Sequence, residues 1–145
     1  MSWINETPIL VPFDFSEDSV DAIHKALELV DDPSGVQVIH VLGELSPGEP
    51  GEVWNTVDEK SRSEHATHAI RQILPEELSE SISVFIAFGD AGYEIVDHAE
   101  KINAKLIVMP SQGRTGLMRV LLGSVADRVS RLAKCPVLIL RGHKK

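Results

Sequence analysis

A single cysteine, Cys135, stands among 145 residues, so no intramolecular disulfide can form. A reducing cytoplasm is the default compartment for such a chain. No apolar run approaches the roughly 20 residues of a membrane-crossing helix, which argues against membrane insertion. The opening Met1-Ser2-Trp3-Ile4-Asn5-Glu6 lacks the basic-then-apolar order of a signal peptide. Basic side chains are scarce before position 111, where 6 face 21 acidic ones. The net charge of −8 disfavours nucleic acid and acidic membranes as partners. Residues 111–145 reverse that balance, with eight basic groups against Asp127 alone. Such an asymmetry fits an anion site or, equally, a solvated helix face with a basic tail.

What is present is a soluble, globular composition, 43% apolar and 25% charged, on a length that suits one domain over 1–145. Apolar runs alternate with helical patterns. Ile9-Leu10-Val11 with Phe13 reads as a short buried strand. Ser16 offers an N-cap, and Val20, Ile23, Leu27 and Val30 follow at helical spacing. Pro33 and Gly35 end that helix. Val36 to Leu42 is a second strand. The glycines and prolines of 43–51 exclude regular structure and predict a flexible surface loop, to about 52. A more polar helical pattern runs from Val53 to Leu74, with Pro75 behind it. Ile82 to Phe88, Leu106 to Met109 and Val137 to Leu140 complete the strands. Ala91 to Ile102 and a segment holding Val125, Val129 and Leu132 complete the helices. Strict alternation with continuous apolar strands predicts an α/β protein, a parallel sheet covered by helices on both faces.

In such sheets ligands sit beyond the carboxyl ends of the strands, where the connection direction reverses. Two loops there carry chemistry. In Val11-Pro12-Phe13-Asp14-Phe15-Ser16, Asp14 can accept hydrogen bonds from a ligand's hydroxyl or amine, or serve as a cap where the helix starts. The segment Met109-Pro110-Ser111-Gln112-Gly113-Arg114-Thr115-Gly116 runs on to Gly123-Ser124-Val125. Bare backbone N–H groups at a helix start attract anions, and Arg114 and Arg119 add charge. Glycine-rich loops are also mere turns, and the residues alone leave both readings open. The segment is neither a Walker loop nor a GxGxxG fingerprint.

Other polar residues read as structural. His65 and His68 stand three apart on a helix without a third ligand. His40 reads as a satisfied near-core residue, and His24, His98 and His143 as surface positions. Cys135 reads as a buried structural thiol, and Trp3 and Trp54 as packing anchors. Ser16 and Ser111 lack a positioned base.

Together these segments resemble the universal stress protein family. The resemblance is carried by ILVPFDFSEDS at 9–19, VIHV at 38–41, GDAGYEIVDHAEKINAKLIVM at 89–109 and, most specifically, SQGRTGLMRVLLGSVADRVSRLAKCPVLIL at 111–140. It implies a three-layer α/β/α sandwich, adenine nucleotide alpha hydrolase-like, with a five-stranded parallel sheet in order 3-2-1-4-5. It implies a nucleotide-binding regulatory protein holding ATP or AMP between the first and fourth strands, with Mg accompanying ATP. Carried over by position, Pro12 and Asp14 bind the ribose side and the Val41 backbone reads the adenine edge. Met109 and Pro110 line the nucleotide; Gly113, Gly123, Ser124 and Val125 hold the phosphates. The first glycine of the family's phosphate pattern falls on Pro110, which has no N–H. A nucleotide-free dimeric interaction protein is therefore the alternative, and a slow ATPase a third. No general base, acidic metal cluster or Walker lysine supports an enzyme. A phospho-acceptor receiver using Asp14, Asp90 and Ser111 lacks the second acid and the lysine it needs. The resemblance and the apolar edge Val137–Leu140 also imply a homodimer.

Overall fold

The computed structural model describes residues 6–43, 55–111 and 122–141, without the side chains of 55–58. The predicted loop, apart from Gly43, lies outside them, as do Trp3, Trp54, Gly113, Arg114, Gly116, Arg119 and His143.

The strands are β1 (Ile9–Pro12), β2 (Val36–Leu42), β3 (Ser83–Phe88), β4 (Leu106–Pro110) and β5 (Val137–Leu140). The helices are α1 (Glu17–Glu28), α2 (Asn55–Ile73), α3 (Ala91–Lys101) and α4 (Ser124–Leu132). All strand pairs are parallel and the order is β3-β2-β1-β4-β5, as expected from the resemblance. Side chains alternate between the faces of a strand, so each buried strand feeds two cores. Ile9 and Val11 join Val36, Val38, Leu106 and Val108 under α1 and α2. Leu10, Ile39, Ile107 and Met109 point the other way, against Ile95, Ala126 and Val129 of α3 and α4. The result is three layers.

Local signals set the helix ends. Ser16 caps α1, its hydroxyl accepting from the Ser19 amide at 3.1 Å. Asp90 caps α3, accepting from the Tyr93 amide at 3.1 Å. This bond holds the Asp90 carboxyl below the usual aspartate range. Gly92 lets the two helices on that face close up. A Cβ there would stand 2.5 Å from Cδ of Arg128, whose guanidinium bonds Asp90 at 2.9 Å.

Two expectations are corrected. Cys135 is only half-buried, though burial still pushes its thiol up. His98 is not a surface residue; it is 8% exposed. It stacks on Phe85 with ring centroids 4.0 Å apart, and its Nε2 bonds the Gln37 side-chain oxygen. An amide oxygen only accepts, so Nε2 carries the proton. Burial depresses the pKa of His98 below 6.5, and nearby Lys101 adds to the effect while Asp97 opposes it. The fold therefore prefers neutral imidazole, and the unfolded chain takes up the proton first as pH falls. Stability should be complete above pH 6.5 and decline below it, by at most about 1.4 kcal/mol per pH unit from this group. Urea denaturation from pH 7.5 to 5.5 checks this, with His98→Gln expected to flatten the slope. An equal slope in that variant would assign the effect elsewhere.

Candidate functional site

The β1–β2 ladder runs up to Pro12↔Ile39, and the β4–β5 ladder up to Pro110↔Leu140. Between them, β1 and β4 pair only at Ile9↔Leu106 and Leu10↔Ile107. The two central strands thus separate from each other before either leaves its outer neighbour. Each of them carries a proline farther on, Pro12 and Pro110, still in register with its outer neighbour, and a proline has no N–H to donate to a ladder. The split is also where the chain changes direction, since α1 and α2 cover one face and α3 and α4 the other.

A crevice with a cavity volume of about 100 Å³ opens at this split. Its apolar wall comes from Ile39, Val41, Ile95, Met109 and Val125, and its polar end from Asp14, Ser19 and His40. Of the nine residues expected from sequence, Pro12, Asp14, Val41, Met109, Pro110 and Val125 line this one cavity. Gly123 and Ser124 stand at the start of α4, directly before Val125. Gly113 lies outside the described residues. Sequence reasoning missed Phe13, Ser19, Ile39, His40, Ala91, Ile95 and Ala126 as lining residues. For Ile39 and His40 a signal existed, since they precede Val41 at the end of the same strand.

Both readings of Asp14 have a basis. Its Oδ1 accepts from the Ser16 amide at 3.0 Å, a local turn bond, while the residue also lines the crevice. Its own amide donates to the Ser19 hydroxyl at 3.3 Å. Ser19 is 1% exposed and its hydroxyl donates to the Ser16 carbonyl at 2.9 Å, so the loop is braced from below.

Across the crevice, the Gly123 amide donates to the Ser111 carbonyl at 2.7 Å. The Ser111 amide donates to the Leu140 carbonyl at 2.8 Å, which anchors that pair to the end of β5. Ser111 and Gly123 are therefore held together at the end of β4. Gly123 cannot cap α4 with a side chain, and the first intrahelical bond runs from the Asp127 amide to the Gly123 carbonyl at 2.9 Å. The amides of Ser124, Val125 and Ala126 are first-turn donors that a helix cannot satisfy internally. The α3 start already has a carboxylate cap, so α4 offers the bare positive end.

A parallel five-stranded sheet covered on both faces, with Asp14 and Val125 lining one crevice where the strand order reverses, defines an open-sheet α/β protein. The model described as "Universal stress protein family" matches residues 7–141. The chain belongs to the universal stress protein family. It is 38% identical over 143 residues to universal stress protein MJ0531 of Methanocaldococcus jannaschii, covering 94% of this chain and 83% of that protein. The solved structure of protein MJ0577, from the same organism, superposes with a TM-score of 0.75 at 30% identity, over 94% of this chain and 96% of that one. A universal stress protein solved in complex with cAMP shares the fold, with a TM-score of 0.62 at 22% identity over 94% and 97% of the two chains. Among the described residues no helix is long and apolar enough to cross a membrane.

Proposed function

We propose that the crevice binds an adenine nucleotide, ATP or AMP, and that the protein acts as a nucleotide-responsive regulator rather than a fast enzyme. The observation that carries this reading is the cavity at the β1–β4 split, which gathers Pro12, Asp14, Val41, Met109, Pro110 and Val125. In this reading Asp14 accepts from ribose hydroxyls and the Val41 backbone reads the adenine edge. Met109, Pro110 and Pro12 line the base and sugar. Ser124 and Val125 present amides to the phosphates with Gly113, and Gly123 contributes by lacking a side chain. Its own amide is already bonded to Ser111. Mg would accompany a bound triphosphate, as it normally does. The cAMP complex of a fold relative supports the ligand class.

Pro110 favours a second reading, a nucleotide-free interaction protein, because one amide of the family's phosphate pattern is missing there. Calorimetric titration with ATP, AMP and ADP separates the two. Heat with an accompanying thermal shift is expected; silence with all three would leave the second reading. Under both, we propose a homodimer through β5, whose residues Val137–Leu140 are half-buried on a sheet edge. A monomeric sedimentation coefficient across micromolar concentrations would remove the dimer.

A further inference from the structure

Phe15 holds φ at +67°, the left-handed region that bulky residues rarely enter. Such a conformation persists only where the surroundings over-determine it. Here the Phe15 ring meets Phe13 edge-on at 4.9 Å and His40 edge-on at 5.0 Å. Nδ1 of His40 also lies 2.6 Å from the Phe13 carbonyl oxygen. A carbonyl can only accept, so Nδ1 carries the proton and donates it. One side chain of β2 therefore grips both neighbours of Asp14: the backbone before it and the ring after it. Phe13, Asp14 and His40 all line the crevice.

We propose that His40 is a positioning residue of this site. Its Nδ1–H, with the ring contact to Phe15 as the lesser part, holds the strained Phe13–Phe15 turn, and that turn presents the Asp14 carboxylate to the hydroxyls of a ribose. The proposal rests on the adenine-nucleotide reading above. His40 acts on the ligand through Asp14, whose carboxylate is the accepting group.

Two variants of the full chain separate the contributions. His40→Phe keeps a ring against Phe15 and removes the donor. His40→Asn loses the ring but keeps a side-chain N–H close to the Nδ1 position. With AMP as the calorimetric probe, His40→Phe should bind about tenfold more weakly and His40→Asn within about threefold of wild type. Nitrogen-15 spectra of the wild-type imidazole should show the proton on Nδ1. A merely structural role would lower the melting temperature without ranking the two variants this way. Wild-type affinity in His40→Phe, or an imidazole with Nδ1 unprotonated, overturns the proposal alone. A wild-type chain that takes no AMP removes the nucleotide reading, and this proposal with it. Should His40→Phe not fold, the tautomer and the His40→Asn affinity decide.

Discussion

Ile107→Ala should cost about 3–4 kcal/mol, around the middle of the range for deleting a buried aliphatic side chain. Ile107 is 0% exposed in the middle of the sheet, registered with Leu10 on one side and Val137 on the other. Its amide donates to the Pro136 carbonyl at 3.0 Å, which fixes its backbone from the β5 side. Its side chain belongs to the core of Leu10, Ile39, Ile95 and Val129 beneath α3 and α4. Strands held on both sides cannot move to fill a hole, so most of the cavity should persist. Ile107→Val at the same site should cost only about 1 kcal/mol. Ile73, at 42% exposure on α2, should tolerate alanine within about 0.5 kcal/mol. Urea denaturation checks all three, provided the denaturant slope stays constant. A loss under 1 kcal/mol in Ile107→Ala would mean that α3 and α4 do not seal that face of the sheet.

The central strands were the most legible stretches of the sequence for the same reason that Ile107 is sensitive. A strand covered on both faces must be apolar at every position, so Leu106 to Met109 and Val36 to Leu42 stand out as runs. The Ser16 cap was legible because its side-chain bond is local. The strand order was not legible from periodicity, which reports faces and never neighbours. It came from the resemblance. His98 was misplaced because its polarity was weighed above its position. Ile95, His98, Ala99 and Ile102 fall at i, i+3, i+4 and i+7, the spacing of a buried helical stripe. Ser19 and Phe13 were invisible as crevice residues for a different reason. They line it because β1 and β4 stop pairing after Leu10↔Ile107 while each runs on beside its outer neighbour. No residue of either strand signals that opening until the two are known to be neighbours.

At Gly123, stability and nucleotide affinity should move in opposite directions. Gly123 has φ −64° and ψ 161°, an extended conformation open to any residue. Its two backbone bonds, to Ser111 and from Asp127, do not depend on the absence of a side chain. Gly123→Asp should therefore fold. It should also gain a few tenths of a kcal/mol, because a carboxylate at the N-cap accepts from a first-turn amide of α4 and complements the helix dipole. That gain is the loss to the proposed ligand, since the same amides are the ones offered to phosphate. The added carboxylate both occupies them and repels the incoming anion. Affinity for ATP should fall at least about a hundredfold, equivalent to about 2.7 kcal/mol. Gly123→Val should block approach without supplying a cap, so its binding falls similarly while its stability drops by up to about 1 kcal/mol. AMP has one phosphate to place there and ATP three, so the loss in Gly123→Asp should be larger for ATP. Thermal melts without ligand and titrations with each nucleotide measure both quantities on one sample. Undiminished ATP affinity in a folded Gly123→Asp chain would rule out the start of α4 as the phosphate end of the site. A destabilised, weakly binding Gly123→Asp chain would instead assign the position to packing. Only a more stable protein that has lost its nucleotide assigns it to the anion.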